Sequence, residues 1–329
     1  MMIKIICSAQ AYTYNAYHIV KAFYPAVEIT NHVEEKASNY VEINFSDGQV
    51  IAVEKEEIKA GTDAEKKAQI DKKLYEKLSE KSGKTLAWGI LTGVRPTKLA
   101  MKKLEEGMEP EAFVSWFRQT YLVSEEKARL AWEIAGREKK LLDRLDYEDG
   151  YSLYVGIPFC PTVCTYCSFS SGALEDWKDF VDAYVEALCK ELAFIGEVSK
   201  EKKLNSIYIG GGTPTSLNAR QLERILSCID THFSREYLLE YTVEAGRPDS
   251  ITEEKLQVIK AHKVTRISIN PQTMNQKTLD LIGRHHTVDM VKDQFYMARE
   301  LGFDNINMDL IAGLPTDTLE SFRSTVDQV

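Results

Sequence analysis

Three cysteines, Cys160, Cys164 and Cys167, fall within eight residues in the order C-x3-C-x2-C. Thiolates crowded into one loop serve a compact metal centre. Iron–sulfur clusters are held by cysteine thiolates, normally four, so a three-cysteine loop with no fourth partner leaves one iron open to a substrate. Two blander assignments compete. A free cysteine is often a small buried hydrophobe, but three in one loop are hard to place that way. Structural zinc would use the C-x2-C pair Cys164 and Cys167 together with a second pair at similar spacing, which the chain does not offer. The remaining cysteines read as core: Cys189 stands at helical spacing with Val185, Leu188 and Leu192, Cys228 beside Leu226 and Ile229, and Cys7 in Ile5-Ile6-Cys7.

The elements around this loop follow from hydrophobic periodicity. An apolar run over 151–157 reads as a buried strand that stops at Pro158, which places the cysteines in the loop after it. Further β-type runs cover 206–209, 240–244, 266–269 and 305–311, and helical patterns cover 178–198, 219–232, 252–262, 275–282 and 288–300. Strands alternating with helices predict a parallel sheet with helices outside, closed or partly closed, whose chemistry gathers at the carboxyl ends of the strands. The glycine run Gly210-Gly211-Gly212, followed by Thr213 and Pro214, comes directly after the second strand and leads toward a helix that starts near Asn218. Glycine lets backbone groups approach a ligand closely, and a helix amino terminus lies just beyond.

The first part of the chain has a different texture. Residues 1–60 predict a small α+β unit, with strands near 3–7, 40–45 and 49–53, a helix carrying Tyr17 to Phe23, and a hairpin turn at Ser46-Asp47-Gly48. Amphipathic helices follow over 66–81, 110–121 and 124–145, the last opened by the cap residue Ser124 and an acidic first turn. Between them the 93–98 loop carries Arg95 and Lys98, which either hold an anion or fix this domain in place. A linker at 146–150 divides an amino-terminal domain, 1–148, from a carboxy-terminal one, 149–329. The length of 329 residues itself favours two domains.

No apolar run reaches the roughly 18 to 20 residues that a membrane span needs, and the amino terminus lacks the apolar stretch of a signal peptide. A cytoplasmic protein is expected, where reducing conditions keep thiols free and turn cysteines toward metal chemistry. The net charge of −9 disfavours a nucleic-acid partner.

The C-x3-C-x2-C loop with the aromatic Tyr166 before its last cysteine resembles the signature of the radical S-adenosylmethionine (SAM) enzymes. Tyr-x-x-Ile-Pro-Phe-Cys, from Tyr154 to Cys160, and Gly-Gly-Gly-Thr-Pro-Thr, from Gly210, narrow the resemblance to the oxygen-independent coproporphyrinogen III oxidase family. Gly-Ile-Leu-Thr-Gly-Val-Arg-Pro-Thr-Lys, ending at Lys98, looks like its HemZ branch. The resemblance implies a partial parallel (β/α)6 barrel, of which this chain shows five strands and therefore looks truncated. It implies a 4Fe-4S cluster on Cys160, Cys164 and Cys167, with SAM on the open iron. Position by position, Gly211, Gly212 and Thr213 match the family's site for the SAM amino group, and Glu244 the carboxylate meeting its amino-acid or ribose part. Gln272 matches the ribose contact, Arg284 the partner of the methionyl carboxylate, and Asp309 the nucleoside contact with Ile311 beside the adenine. Tyr154, with Tyr166 a further cofactor neighbour, matches the tyrosine near the sulfonium. The chemistry implied is oxidative decarboxylation of porphyrinogen propionates through a 5′-deoxyadenosyl radical, with flavodoxin or ferredoxin as electron donor. A haem-carrying protein of the same superfamily is the alternative. The family's oxidases carry a histidine where this chain has Gly156 and a further cysteine where it has Phe169.

Anaerobic reconstitution is expected to give about four irons and four sulfides per chain. Replacing Cys160, Cys164 or Cys167 by Ala should abolish the cluster. Iron analysis that finds all three variants equal to the parent, or zinc in place of iron, would overturn the assignment.

Overall fold

The short apolar runs at the amino terminus pair into a four-stranded sheet of order β2-β1-β3-β4. β1 (Met2–Cys7) lies parallel to β2 (Glu28–Val33) across the helix α1 (Gln10–Phe23), and antiparallel to β3 (Asn39–Phe45), which pairs with β4 (Val50–Glu54). The strand β2 was not expected. It is an edge strand with mostly exposed Glu28, Asn31, His32 and Val33, so it lacks the alternation that marks a half-buried strand. α2 (Asp63–Ser82), opened by a reciprocal cap between Thr62 and Glu65, lays Ile70, Leu74 and Leu78 on the core. A second core, around Phe113, Phe117, Ala128 and Ala131, joins α3 (Pro96–Glu105), α4 (Pro110–Tyr121) and α5 (Glu125–Leu142).

The computed structural model describes residues 2–92 and 95–329, so Gly93 and Val94 of the 93–98 loop lie outside the described residues. Where a loop was expected to carry Lys98, Pro96 instead opens α3 at its first position, since its fixed φ suits a helix start and its missing N–H costs nothing there. Arg95 is the cap residue and Lys98 lies in the first turn.

The chain divides into two compact units, Met1–Arg144 and Leu145–Val329. The expected linker belongs to the second. The Asp146 carboxylate accepts from Lys203 Nζ at 2.6 Å and from the backbone N–H groups of Glu148 and Asp149, which draws the boundary ahead of the expected 148.

In the second unit five parallel strands stand in the order β11-β10-β9-β8-β5. β5 (Gly150–Ile157) is followed by the cysteine loop, in which β6 (Phe159–Cys160) pairs with β7 (Gly172–Ala173), and by α6 (Leu174–Trp177) and α7 (Val181–Val198). β8 (Lys203–Gly211), α8 (Ala219–His232), β9 (Glu240–Gly246), α9 (Glu253–Ala261) and β10 (Arg266–Ile269) continue the alternation. α10 (Gln276–Leu281), α11 (Val288–Glu300), β11 (Ile306–Asn307) and α12 (Leu319–Gln328) complete it. The α/β architecture with a parallel sheet is as expected. The run over 305–311 forms only the short β11, because its later part leaves the sheet and bridges to the loop after β10, with Leu310 opposite Gln272.

One face of this sheet is apolar and the other is not. Leu153, Val155, Ile157, Ile207, Ile209, Val243 and Ile267 pack under the helices in one core. The alternate positions carry Ser152, Tyr154, Ser206, Tyr208 and Glu244, and the registers Ser152↔Ser206 and Tyr154↔Tyr208 line them up across strands. The first strand is therefore not buried throughout, as the apolar run suggested: Ser152 and Tyr154 are exposed. A strand shows its two faces at period two, and here the second face carries functional groups. Among the described residues, no helix is long and apolar enough to cross a membrane.

Candidate functional site

The cysteine loop is fixed from three directions. From β8, the Gly212 N–H donates to the Ile157 carbonyl and the Thr213 N–H to the Phe159 carbonyl, both at 2.7 Å. From β9, Arg247 Nη1 donates to the carbonyl and hydroxyl oxygens of Thr162, both at 2.8 Å. From α10, the Thr165 N–H reaches the Ile282 carbonyl at 3.1 Å, and the Thr162 hydroxyl the Gly283 carbonyl at 3.1 Å. Within the loop, the Cys167 N–H closes a turn on the Cys164 carbonyl at 3.1 Å. The Thr213 hydroxyl lies 3.5 Å from Cys160 Sγ.

Glycine is required at the β8 turn for space. Gly211 has φ +107, a conformation that side chains rarely take, and a Cβ on Gly212 would stand 2.6 Å from the Phe159 oxygen and 2.9 Å from the Ile157 oxygen. Because the N–H groups of Gly212 and Thr213 are spent on the cysteine loop, this turn can offer carbonyl oxygens to a ligand, which suits an ammonium group.

These ties gather the predicted residues around one cavity of about 140 Å³. Its walls include Cys160, Cys164, Cys167 and Tyr166, then Gly211, Gly212 and Thr213, then Glu244, Gln272, Arg284 and Asp309. Tyr154 lines an adjoining cavity of about 460 Å³, which shares Gly211, Glu244 and Phe169 with the first. Ile311 stands outside both, packed on Leu279, Ile282 and Leu314. Among the described residues, no three His, Cys, Asp or Glu side chains converge tightly enough to ligate one ion. The other cysteines lie elsewhere: Cys7 is fully buried in the first unit, and Cys228 Sγ faces the Cys189 carbonyl at 3.4 Å, both Cys189 and Cys228 being partly buried.

Electrostatics differ sharply along the wall. Burial pushes the Glu244 carboxyl above its usual value and Asp309 adds to the effect, against hydrogen bonds from the Tyr208 hydroxyl and the Gly211 N–H. Tyr208 stacks on Tyr154 with centroids 5.9 Å apart. Burial raises the Tyr166 hydroxyl to about 12, with Arg284 opposing and Cys164 adding. Arg284 is 5% exposed; its Nη1 donates to the Asn270 carbonyl at 2.6 Å, while its buried Nε has no partner. A buried cationic donor left unpaired is costly, and a carboxylate would satisfy it.

Gln272 carries the backbone signature of a functional position. It holds φ +64 although it is not glycine, and it is fixed there by hydrogen bonds from its N–H to the Asp309 carbonyl at 3.0 Å and from the Ile311 N–H to its own carbonyl at 2.9 Å. A residue in the left-handed region costs roughly 1–3 kcal/mol and persists only where its surroundings hold it. Asn270 completes this corner by accepting the Asp309 N–H on Oδ1 at 3.1 Å.

Sequence reasoning missed Tyr208, Arg247 and Asn270. Tyr208 had a signal, since it pairs in register with Tyr154 on the polar face. Arg247 stands three residues after Glu244 in Glu-Ala-Gly-Arg-Pro-Asp, and nothing in that spacing announces a buried arginine.

Cluster loss should follow from crowding the glycine turn. Gly212→Ala is expected to lower stability by about 1–3 kcal/mol, the usual cost of overpacking, and to reduce the iron retained per chain. Iron content and thermal midpoint unchanged from the parent would show that the turn can yield.

The donor set fits a cluster and a zwitterionic ligand together: three thiols, carbonyl oxygens for an ammonium, and an unpaired buried arginine for a carboxylate in one cavity. A model of the radical SAM superfamily matches residues 154–329. The oxygen-independent coproporphyrinogen-III oxidase-like protein HemZ of Bacillus subtilis is 43% identical over 255 residues, 76% of this chain and 51% of that protein. The heme chaperone HemW of Lactococcus lactis is 41% identical over 177 residues, 54% of this chain and 45% of that protein. The solved structure of coproporphyrinogen III oxidase HemN from Escherichia coli superposes with a TM-score of 0.50 at 29% identity, covering 58% of this chain and 44% of that one. The chain thus spans about half the length of the curated relatives it matches. The superfamily's cofactors are a 4Fe-4S cluster and SAM. On this match and this site, the chain belongs to the radical SAM superfamily, in its HemN, HemZ and HemW group.

Proposed function

We propose that the protein acts on a tetrapyrrole, converting coproporphyrinogen propionates to vinyl groups by oxidative decarboxylation. The observation that carries the reading is the single cavity lined by all three cysteines together with the buried Arg284. Cys160, Cys164 and Cys167 hold the cluster. Arg284 grips the SAM carboxylate, and the Gly211-Gly212 turn with Glu244 takes its amino group. Gln272 and Asp309 hold the nucleoside, with Ile311 behind the adenine, and Tyr166 walls the cluster. When bound, cluster and cofactor supply a one-electron oxidant strong enough to take hydrogen from an unactivated carbon.

The adjoining cavity of about 460 Å³ is the place for the macrocycle. Its aromatic walls, Tyr154, Phe169, Tyr184 and Tyr208, suit an apolar body, and it shares Phe169, Gly211 and Glu244 with the cofactor cavity. Each propionate would lose carbon dioxide, a hydrogen atom taken up by the cofactor and one further electron passed to an external one-electron acceptor, and Tyr154 at the junction would orient the carbon that is oxidised. An electron donor of the flavodoxin or ferredoxin type is required to reduce the cluster. Arg95 and Lys98 are both exposed cations in the first unit.

A second reading, haem carriage, has its own observation. Gly156 and Phe169, where the family's oxidases carry a histidine and a cysteine, both line the cavity assigned to the macrocycle. The two readings separate in one anaerobic assay with reductant, SAM and coproporphyrinogen. The enzyme reading expects deoxyadenosine formation that depends on the porphyrinogen, with carbon dioxide released. Slow SAM cleavage at one rate with or without porphyrinogen, joined to tight stoichiometric haem binding, would replace it with the carrier. By calorimetry on cluster-loaded protein, Asp309→Ala, Gln272→Ala and Arg284→Lys should each weaken SAM binding by about 1 kcal/mol or more with iron content unchanged. Equal affinity in all three would mean that the cofactor lies elsewhere.

A further inference from the structure

Arg247 is the most deeply placed cation beside the cysteine loop. It is 2% exposed, and the two sides of its guanidinium face different partners. On one side Nε and Nη2 form a fork on the Asp249 carboxylate, at 3.0 and 2.6 Å. On the other, Nη1 donates to both oxygens of Thr162 at 2.8 Å and stands 3.9 Å from Cys164 Sγ. The backbone beneath it is fixed as well. The Arg247 N–H closes on the Ala245 carbonyl at 2.7 Å after Gly246 at φ +57, and the Arg247 carbonyl accepts the Ser250 N–H at 3.0 Å and the Ser250 hydroxyl at 2.7 Å. Pro248, between Arg247 and Asp249, opens the short helical turn that brings the pair together.

We infer that Arg247 and Asp249 form a charge pair that sets the reduction potential of the cluster through Cys164 while holding its loop in place. This rests on the reading of Cys164 as a cluster ligand. A metal–thiolate cluster becomes more negative when reduced, so a fixed cation near one of its sulfurs favours the reduced form, and an anion opposes it. The positive end of the pair points at the sulfur and the negative end away, because Asp249 takes the far side of the guanidinium. Burial favours neutrality of the Asp249 carboxyl, yet the guanidinium outweighs it and the group stays below its usual value, so the pair is ionised. Arg284 and His286 also bear on Asp249 from the α10 side, and among these neighbours His286 is held neutral, burial driving it down to about 4. Arg247 lines the edge of the cofactor cavity, but its guanidinium nitrogens are engaged by Asp249 and Thr162, so its role is positional.

The pair predicts shifts of opposite sign, which a purely structural tie would not produce. Full-length chain, loaded anaerobically, is titrated potentiometrically with the reduced cluster followed by electron paramagnetic resonance, and iron and sulfide are measured in the same samples. Asp249→Asn, which keeps the shape and removes the anion, should raise the midpoint. Arg247→Gln should lower it. Each shift is expected to change the reduced-to-oxidised ratio at fixed potential by about tenfold, or about 59 mV for one electron. Arg247→Lys keeps the charge and should remain near the parent, and it replaces Arg247→Gln in the comparison if the latter does not load. Midpoints that move in the same direction, or an Asp249→Asn midpoint equal to the parent at full iron content, would overturn the inference. If iron is lost from every Arg247 variant while Asp249→Asn leaves the midpoint unchanged, Arg247 only ties the loop. Loss of iron from Cys164→Ala tests the underlying ligand assignment separately.

Discussion

Two backbone hydrogen bonds, Gly212 to Ile157 and Thr213 to Phe159, fasten the end of one strand to the loop that leaves its neighbour. Everything at the site depends on them. Parallel strands place their carboxyl ends on one edge, but that alone leaves the loops after β5 and β8 free to diverge. The two bonds force these loops together, and they can form only because Gly211 and Gly212 have no side chain to occupy the space between the strands. A turn that spends its N–H groups on a neighbouring loop has only acceptors left to face a ligand. That polarity is opposite to that of a phosphate-binding glycine loop and suits a positively charged group.

The rest of the wall follows an electrostatic logic that net charge conceals. The chain is acidic, at −9, yet two arginines beside the cysteines, Arg247 and Arg284, are 2% and 5% exposed. A buried guanidinium is tolerated only when paired. Arg247 is saturated by Asp249 and Thr162, whereas Arg284 keeps an unpaired Nε. The difference separates a cation that belongs to the scaffold from one that waits for an anion. On the opposite wall burial and the neighbouring Asp309 raise Glu244, and Tyr208 donates to it. The lining of one cavity thereby carries both an arginine and carboxyl groups, a set that suits the zwitterionic head of an amino acid.

Much of this was legible in the residues. The cysteine spacing, the strand–helix alternation and the strand-end positions of Gly211, Glu244, Gln272 and Asp309 sufficed to expect these residues around one cavity, since a parallel sheet collects such positions along one edge. Helices with strong periodicity were also readable, among them α4 and α11 with the bounds expected. The failures share causes. β2 is polar because it is an edge, and α3 begins at a proline after a glycine-rich stretch that reads as loop. The alternation in β5 was hidden because Tyr154 is hydrophobic by composition but faces an open cavity. Arg247 could not be found, since burial of a charge depends on partners 85 residues away in sequence, at Thr162. Ile311, expected beside an adenine, packs against the cluster of Leu279, Ile282 and Leu314.

The loop's ties bear on how the metal enters. In small zinc domains the metal organises ligands that are otherwise unfolded, so binding energy is folding energy. Here the bonds that position Thr162, Thr165, Ile157 and Phe159 come from β8, β9 and α10, and none requires a bound metal. The left-handed backbone at Gln272 is likewise held by hydrogen bonds within the protein. A site that has already met its ordering costs from the surrounding fold can use the binding energy of its cofactor for orientation. The walls of this cavity come from the strand ends and following loops of β5, β8, β9, β10 and β11, so the order of the site is the order of the sheet edge that carries it.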